Sequence, residues 1–349
     1  MCVLSNFTAT ITAEVTRDDG AETRKRFALT AMLKGQTYHL DIPEAQFAGM
    51  GWVTEHLGAQ AIVMPGMTLK DHTRAAIQLL SPHIAHRHVY EHTGWRVVDG
   101  ERCYLHNGGA ITAQGGRDDI SVELSGVLAR YQLPAPPTGA ARIAAITASL
   151  DLQALLPERR MFPVQGAVYL APLRELLVPE PPDFTVWLHG RSGLFKSEVA
   201  ALAQAHWGDF SRMTLPAAFV ATGNALERLT FATKDALLVC DDYFPARNKR
   251  EADAMDQTAA RLLRGVGNGS GRSRMRHDTT IRPDLPPRGV TLATGERLPD
   301  GYSTNARLFL LSLTPTAQDD IASRLAKAQE CKAQYPLAMS AYIQWIAQH

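Results

Sequence analysis

The chain has 349 residues, of which 45% are hydrophobic and 20% are charged, and its formal net charge is +1 at pH 7. This composition is typical of a folded globular protein, and the length is sufficient for two domains. A nearly neutral chain is not a general polycation, so any nucleic-acid contact has to come from a local basic patch. The 4 cysteines are widely spread, which fits unpaired thiols in a reducing compartment and gives no zinc signature.

The N-terminus has no charged segment followed by an apolar run. No apolar stretch approaches the roughly 18 residues that a membrane-spanning helix needs. We therefore expect no signal peptide, no membrane segment and a cytoplasmic location.

The sequence of residues 1–133 predicts a small α+β N-terminal domain, in which we recognise no set of catalytic residues. Residues 7–15 alternate in polarity and are β-branched, as in a strand, and Asp18, Asp19 and Gly20 form a turn signal. The further predicted elements are strands over residues 25–32 and 38–42, helices over 43–57 and 69–80, β-structure over 89–111, and a strand over 121–129.

Prolines and a glycine at residues 134–139 predict a linker. Helical patterns over residues 142–156 and 161–177 extend it, so residues 134–182 are expected to form a linker and helical connector. Residues 183–349 then form the second domain.

The second domain opens with an apolar run over residues 185–188, which predicts a buried strand. A helical pattern covers residues 198–206. The residues between them have the glycines and the Lys-Ser pair of a phosphate-binding P-loop: Gly190, Arg191, Ser192, Gly193, Leu194, Phe195, Lys196 and Ser197. Backbone N–H groups of such a loop face the phosphates of ATP. We predict that Lys196 reaches the β- and γ-phosphates and that the Ser197 hydroxyl binds Mg²⁺.

Phe195 departs from the usual pattern, which has glycine immediately before the lysine. Either its side chain points out of the loop, or the loop is distorted. The alternative to a phosphate loop is an ordinary strand–turn–helix with a chance Lys-Ser pair.

A second apolar run, over residues 236–240, predicts a buried parallel strand with Asp241 and Asp242 at its C-terminal end. We predict that Asp241 holds Mg²⁺ through water and that Asp242 polarises the hydrolytic water. Asp242 stands where glutamate is usual, and its carboxylate is one methylene shorter. The alternative is a strand followed by a surface Asp-Asp turn.

Two residues further along are candidates for contact with the γ-phosphate. Residues 288–296 predict a core strand that carries Thr294, a candidate sensor, at its end. Arg307 precedes an apolar run and can reach the nucleotide of a neighbouring subunit, because a guanidinium group binds phosphate oxygens bidentately and is always charged. The alternatives are a simple strand-end threonine and a surface arginine in a salt bridge.

Between the aspartates and Thr294 lies a glycine-rich and then alternating basic segment, residues 265–282. The alternation predicts a β-hairpin arm with Arg272, Arg274 and Arg276 on one face. Such an arm suits a nucleic-acid backbone, because phosphate contacts position a protein without reading sequence. The alternative is a flexible solvated loop.

The order of these motifs resembles that of minichromosome-maintenance-like AAA+ ATPases and helicases. The segments around Trp95 and Gly108-Gly109 are similar to the bacterial branch of this family carried on phages, plasmids and integrative elements, formerly called a domain of unknown function. The resemblance covers about residues 5–315.

The resemblance implies an α/β fold in which a P-loop AAA+ type parallel sheet with flanking helices follows the smaller α+β domain and ends in a short helical lid. It implies a hexameric helicase that hydrolyses ATP with Mg²⁺ at subunit interfaces and moves on DNA during replication of a mobile element. A nucleotide-binding assembly or loading factor with little hydrolysis is the alternative, favoured by Phe195, Asp242 and the short lid. A small-molecule phosphoryl-transfer enzyme ranks last.

Overall fold

The computed structural model of the protein describes residues 3–245, 248–271, 274–275, 281–313 and 321–349. Contacts divide the chain into two units, Met1–Glu91 and His92–His349. The division falls earlier than the predicted boundary at residue 133. The reason is that residues after 91 bond to the later part of the chain: the Tyr104 hydroxyl donates to the carbonyl oxygen of Asp235 at 2.7 Å.

The first unit is a twisted sheet covered by helices. Strand β1 pairs antiparallel with β2 and parallel with β4, and β2 pairs antiparallel with β3. Residues along β1 are alternately buried and exposed, so one face packs on the helices. Its elements are β1 (Phe7–Asp18), β2 (Thr23–Leu33), β3 (Gln36–Pro43), α1 (Glu44–Gly49), α2 (Trp52–Leu57), α3 (Leu69–Leu79) and β4 (Ala85–Tyr90).

The single helix predicted over residues 43–57 is wrong, because the chain forms two short helices there. Met50 has a φ of 56°, a left-handed conformation that ends α1, and α2 starts two residues later. The helical spacing of Phe47, Met50 and Val53 nevertheless identified buried residues, because all three are at most 4% exposed. Apolar periodicity thus predicted the core and missed the break.

The second unit begins with an antiparallel sheet and two helices. β5, β6, β7 and β8 pair in chain order. The elements are β5 (Gly94–Val98), β6 (Glu101–His106), β7 (Gly109–Thr112), β8 (Gly115–Arg117), β9 (Ser121–Val122), α4 (Gly139–Asp151) and α5 (Met161–Leu170), with 3₁₀ turns over Gly126–Arg130, Leu152–Ala154 and Ala171–Leu177. The strand predicted over residues 121–129 is therefore wrong beyond Val122, because Gly126 has a φ of 59° and starts a 3₁₀ turn.

A parallel sheet of five strands lies at the centre of the second unit, in the order β11-β12-β15-β10-β16. Its strands are β10 (Thr185–His189), β11 (Ala217–Ala218), β12 (Leu237–Tyr243), β15 (Val290–Gly295) and β16 (Leu308–Ser312). The first four residues of β10 and β12 and all of β15 are buried, as expected for parallel strands covered on both faces. The loops after β10, β12 and β15 therefore meet at one edge of the sheet.

Helices flank this sheet and close the chain. They are α6 (Lys196–Gln204), α7 (Gly223–Ala232), α8 (Lys249–Asn268), α9 (Tyr302–Asn305), α10 (Ile321–Glu330) and α11 (Tyr335–Gln348), with 3₁₀ turns over Ala205–Trp207 and Lys332–Gln334. Two short strands, β13 (Arg274–Met275) and β14 (Ile281–Arg282), pair antiparallel between α8 and β15. Within the described residues, no helix has both the length and the apolar character needed to cross a bilayer.

Candidate nucleotide-binding site

The predicted phosphate loop connects β10, an interior strand of the parallel sheet, to helix α6. The helix begins at Lys196, so its unpaired N–H groups lie beside the loop. At the start of the loop, Gly190 lies against the carbonyl oxygen of Leu313, where an added Cβ atom would come within 2.7 Å. Glycine is therefore required at this position, because the end of β16 approaches the loop closely.

The outer part of the loop is open to solvent. Arg191, Ser192 and Gly193 are exposed, and Leu194 is half-buried. Phe195 has a φ of 56° and a ψ of 21°, the left-handed conformation that glycine adopts at little cost. Its side chain is 40% exposed. The loop thus accommodates Phe195 by a left-handed backbone and by letting the side chain reach solvent.

Lys196 is held inside the loop by its backbone. Its Nζ donates to the carbonyl oxygens of Gly190 at 2.8 Å and Arg191 at 2.9 Å. The residue is only 9% exposed, and burial lowers the pKa of the Lys196 ammonium, while the carboxylates of Glu296 and Asp241 act in the opposite direction. Phosphate oxygens are stronger acceptors than carbonyls, so a bound nucleotide can take over this ammonium group.

Ser197, Asp241 and Thr294 come together at the C-terminal edge of the sheet. One carboxylate oxygen of Asp241, Oδ1, accepts hydrogen bonds from Ser197 Oγ at 2.9 Å and from Thr294 Oγ1 at 2.5 Å. Thr294 Oγ1 also accepts a hydrogen bond from the backbone N–H of Asp242 at 3.0 Å. The threonine therefore fixes both the carboxylate of one aspartate and the backbone of the next.

Asp242 lies at an irregularity in β12. The pairing of β12 with β15 shifts register between Cys240 and Tyr243, and Asp242 has a φ of 65°. The residue reaches solvent, yet partial burial and the neighbouring carboxylate of Asp241 raise the pKa of Asp242. Its backbone bond to Thr294 holds this bulged turn in place, so the side chain leaves the strand at an unusual angle.

These residues fit a nucleotide with Mg²⁺. The Ser197 hydroxyl and the Asp241 carboxylate are hard oxygen ligands that already lie within hydrogen-bond distance. Across the described part of the chain, no cluster of three or more His, Cys, Asp or Glu side chains could hold a metal ion by itself. Mg²⁺ commonly uses one or two protein oxygens and completes its shell with phosphate oxygens and water, which suits this sparse donor set.

Arg307 lies at the opposite edge of the sheet from the phosphate loop. It precedes β16, and its carbonyl oxygen accepts a hydrogen bond from the backbone N–H of Thr185, the first residue of β10. A strand of five residues spans about 15 Å, so the phosphate loop after β10 is well beyond the reach of this side chain. Arg307 is therefore separated from the other predicted site residues of its own chain.

The Arg307 guanidinium is held at the end of helix α8. Nη2 donates to the Asn268 side-chain oxygen at 2.8 Å, and Nη1 donates to the carbonyl oxygen of Ser303. The methylene stem runs over Gly267, where a Cβ atom would overlap it. The position of this arginine thus depends on the helix that leads into the basic arm.

The basic arm is described only in part. Arg272 and Arg276 lie outside the described residues, and only the backbone of Arg274 is described, paired with Arg282. The antiparallel pairing of β13 with β14 is that of a hairpin. The shared face predicted for the three arginines stays a prediction.

Glu296 is a site residue to which the sequence motifs gave no role. Its backbone N–H donates to the carbonyl oxygen of Tyr243 at 2.8 Å, beside the two aspartates. Among the carboxylates that act on Lys196, Glu296 has the largest effect. The signal in the sequence was its place two residues after Thr294, on the loop that leaves the same strand.

No family model matches the chain, and no curated protein matches its sequence. Among solved structures, SCCmec type IV Cch, described as an active helicase, has a TM-score of 0.53 at 14% sequence identity and matches over 99% of this chain and 61% of that one. This chain thus spans about three fifths of the length of that structure. At such low identity the likeness establishes a shared fold.

Two other solved structures are less similar. The C-terminal region of NrS-1 has a TM-score of 0.39 at 6% identity and matches over 93% of this chain and 65% of that one. The JCV helicase has a TM-score of 0.34 at 15% identity, over 60% of this chain and 55% of that one.

Proposed function

We propose that this protein is an ATP-hydrolysing, ring-forming motor of the AAA+ class that acts on DNA as a helicase. The observation that carries the proposal is the distribution of residues over the two edges of the parallel sheet. Lys196, Ser197, Asp241 and Thr294 meet at one edge, and Arg307 lies at the other. A site that is complete only when two copies meet is the arrangement of a ring ATPase.

At the phosphate edge each residue has a role that its chemistry allows. Lys196 neutralises charge on the β- and γ-phosphates, and residues 190–197 cradle them with backbone N–H groups. Ser197 and Asp241 hold Mg²⁺, directly and through water. Thr294 positions the Asp241 carboxylate and the turn at Asp242, so it acts both as a sensor and as a support.

At the other edge, Arg307 contacts the γ-phosphate bound by the neighbouring copy. Its own phosphate loop is too far away, so any such contact has to be made in trans. Because the guanidinium is held by Asn268 at the end of α8, the arginine is partly oriented before the neighbour binds ATP. We expect copies to assemble into a hexamer, with ATP and Mg²⁺ strengthening the ring.

DNA is the proposed polymer substrate. The hairpin after α8 carries Arg272, Arg274 and Arg276, which we propose contact backbone phosphates with little sequence preference. The shared fold with a structure described as an active helicase supports this class of motor. A cytoplasmic location and a role in replicating a mobile element complete the proposal. We also propose residues 1–133 as an N-terminal domain, of which 92–133 belong by their contacts to the same unit as the later part of the chain, 134–182 as the connector and 183–349 as the ATPase domain.

The first test is ATP hydrolysis by the purified protein with and without single-stranded DNA, beside Lys196→Ala. Hydrolysis that rises with DNA and disappears in the variant supports the motor. Tight ATP binding without turnover in either condition contradicts it.

The second test asks whether Arg307 acts across an interface. Arg307→Ala is expected to lower hydrolysis by about 10³-fold, as for other arginine fingers. Mixing it with Lys196→Ala is expected to restore part of the activity, because each variant supplies the group that the other lacks. A mixture as inactive as its components contradicts action in trans.

A nucleotide-dependent assembly or loading factor is the second candidate. It is favoured by the left-handed backbones of Phe195 and Asp242, which stand where phosphate loops and their acidic partners usually have glycine and glutamate. This candidate predicts ATP-dependent oligomers that hydrolyse little. Sedimentation with ATP and with a non-hydrolysable analogue separates the two, since only the motor loses its oligomer as ATP is consumed.

A further inference from the structure

We propose that Glu296, rather than Asp242, is the carboxylate that orients the attacking water. The inference rests on the proposed ATPase function and names a residue for its hydrolytic step. It is carried by the place of Glu296 in the sheet and by the hydrogen bonds of the residues around it.

Glu296 leaves the sheet between the phosphate loop and the acidic strand. The preceding residue, Gly295, is aligned with His189 at the end of β10 and with Tyr243 at the end of β12. Its carbonyl oxygen accepts from the Gly190 N–H at 3.2 Å, and the Glu296 N–H donates to Tyr243 O at 2.8 Å. One hydrogen bond from the phosphate loop and one to the end of β12 thus fix the backbone at Gly295 and Glu296.

Of the three acidic groups, the Asp241 side chain is committed by hydrogen bonds from described residues, whereas those of Glu296 and Asp242 are not. Asp241 already accepts two hydrogen bonds, and Asp242 is directed by a left-handed turn. Among the residues that the structure describes, none donates a hydrogen bond to the half-buried Glu296 side chain or pairs with it. Its side chain is one methylene longer than that of Asp242, and its backbone, unlike that of Asp242, is not left-handed.

The charge of Glu296 also acts on the residues of the site, in support of its position in the sheet. Its carboxylate opposes the effect of burial on the Lys196 ammonium more strongly than Asp241 or Asp242 does. Because it also raises the pKa of Asp242, it lies near enough to act on both sides of the site. A water between these groups would find in Glu296 an acceptor that no described residue engages.

The hydrolytic step then balances as follows. The water oxygen forms a bond to the γ-phosphorus, and the bond between that phosphorus and the β,γ-bridging oxygen breaks, so that ADP leaves with the electron pair. One water proton passes to the Glu296 carboxylate and then to solvent, and the other stays on the phosphate product. Lys196 neutralises part of the charge of the phosphates, and Ser197 and Asp241 would hold the Mg²⁺ that offsets more of it.

The test compares Glu296→Gln with Glu330→Gln, an exposed glutamate at the end of α10 that serves as the matched control. We expect Glu296→Gln to lower kcat by about 100-fold or more, as when a general base is lost. Its affinity for a non-hydrolysable ATP analogue should stay close to that of the wild type. Its affinity for ADP with aluminium fluoride, which mimics the transition state, should fall, because the amide cannot accept the proton of the attacking water.

Glu296→Asp provides a second variant, whose carboxylate is kept but withdrawn by one methylene, and it should retain more activity than Glu296→Gln. The inference is overturned if Glu296→Gln keeps the wild-type kcat, or if it loses the ATP analogue as well as the aluminium fluoride complex. A larger loss of kcat in Asp242→Asn than in Glu296→Gln also overturns it, while the ATPase function stands. If the wild type does not hydrolyse ATP, the proposed function fails, and the inference fails with it.

Discussion

Phe195 and Asp242 show how single residues shape this site. Both have positive φ angles, 56° and 65°, and both stand where the sequence departs from the usual phosphate-loop pattern. A left-handed backbone costs an L-residue roughly 1–2 kcal/mol, which the surrounding structure has to offset. The two departures therefore affect backbone geometry as well as side-chain chemistry.

The strain at Phe195 can be measured by comparing Phe195→Gly with Phe195→Ala. Both variants remove the side chain, but only glycine adopts a φ of 56° freely. We expect Phe195→Gly to be more stable than Phe195→Ala by about 1 kcal/mol in urea unfolding. Equal stabilities would mean that the loop relaxes without strain.

Substitutions of Thr294 provide a second test at the level of single residues. Thr294→Val keeps the shape of the side chain but removes its hydroxyl. The Asp242 N–H then loses its acceptor, and the Asp241 carboxylate loses one of its two donors. We expect the free energy of unfolding to fall by about 1–3 kcal/mol, as is usual when buried polar groups lose partners. Thr294→Ser keeps the hydroxyl and should lose less. A serine variant as unstable as the valine variant would assign the effect to packing.

At the scale of elements, the start of β12 depends on residues far away in the sequence. The Tyr104 hydroxyl, on β6, donates to the carbonyl oxygen of Asp235 at 2.7 Å, and the Tyr131 hydroxyl donates to that of Leu237 at 2.9 Å. Both tyrosines are at most 1% exposed. The strand that carries Asp241 is thus anchored at its other end by the segment that precedes the connector.

Tyr104→Phe tests this anchor. The substitution leaves the ring but removes the donor to a buried carbonyl, so we expect a loss of about 1–2 kcal/mol in unfolding free energy. Tyr38→Phe is the matched control, because the Tyr38 hydroxyl bonds to Gln36 at an exposed position in the first unit and should be nearly neutral. Equal effects in the two variants would contradict the anchor.

The sequence predicted local elements better than distant contacts. The strand, loop and helix around Lys196 were predictable because one short motif specifies all three, and the strands carrying Asp241 and Thr294 were predictable from continuous apolar runs. The sequence did not indicate the left-handed Met50, because helical spacing continues across it. It also gave no sign of the bond between Thr93 and Lys234, which lie 141 residues apart.

In the candidate site, too, some features could be predicted from local sequence and others depended on distant contacts. Convergence of Ser197, Asp241 and Thr294 was predictable, because parallel strands end at one edge of a sheet. The role of Thr294 as a bridge between two aspartates was not predictable, because it depends on the bulge at Asp242. Glu296 was missed because its position becomes informative only when β15 is seen between β10 and β12.

At the scale of the whole molecule, a buried histidine, His206, contributes to the pH dependence of stability. His206 is fully buried: its Nδ1 faces the carbonyl oxygens of Leu202 and Ala203 at 3.1 Å, and its Nε2 lies 2.8 Å from Ser149 Oγ. Carbonyls accept, so Nδ1 carries the proton and Nε2 accepts from the serine. Burial lowers the pKa of His206 from 6.5 to about 4. The folded protein therefore keeps this ring neutral.

Because the unfolded chain binds this proton more readily, stability should fall as the pH is lowered from about 6.5 to about 4. Protonation of His206 in the unfolded chain lowers the free energy of unfolding by about 3 kcal/mol once the pH is below about 4. Above pH 6.5 the ring is neutral in both states, so the folded protein keeps its full stability with respect to this group. Unfolding free energies measured across this range should slope less in His206→Gln than in the wild type. Parallel slopes would show that other groups cause the acid sensitivity.

The distant anchoring of β12 also has a consequence for synthesis of the chain. The strands of residues 1–91 pair with one another, so they can fold as soon as they emerge from the ribosome. Tyr104, by contrast, has to wait for a partner 131 residues later. At common translation rates this delay is on the order of ten seconds, during which Trp95, Tyr104 and their apolar neighbours stay uncovered. We expect this interval, rather than the final stability, to determine how much the nascent protein depends on chaperones.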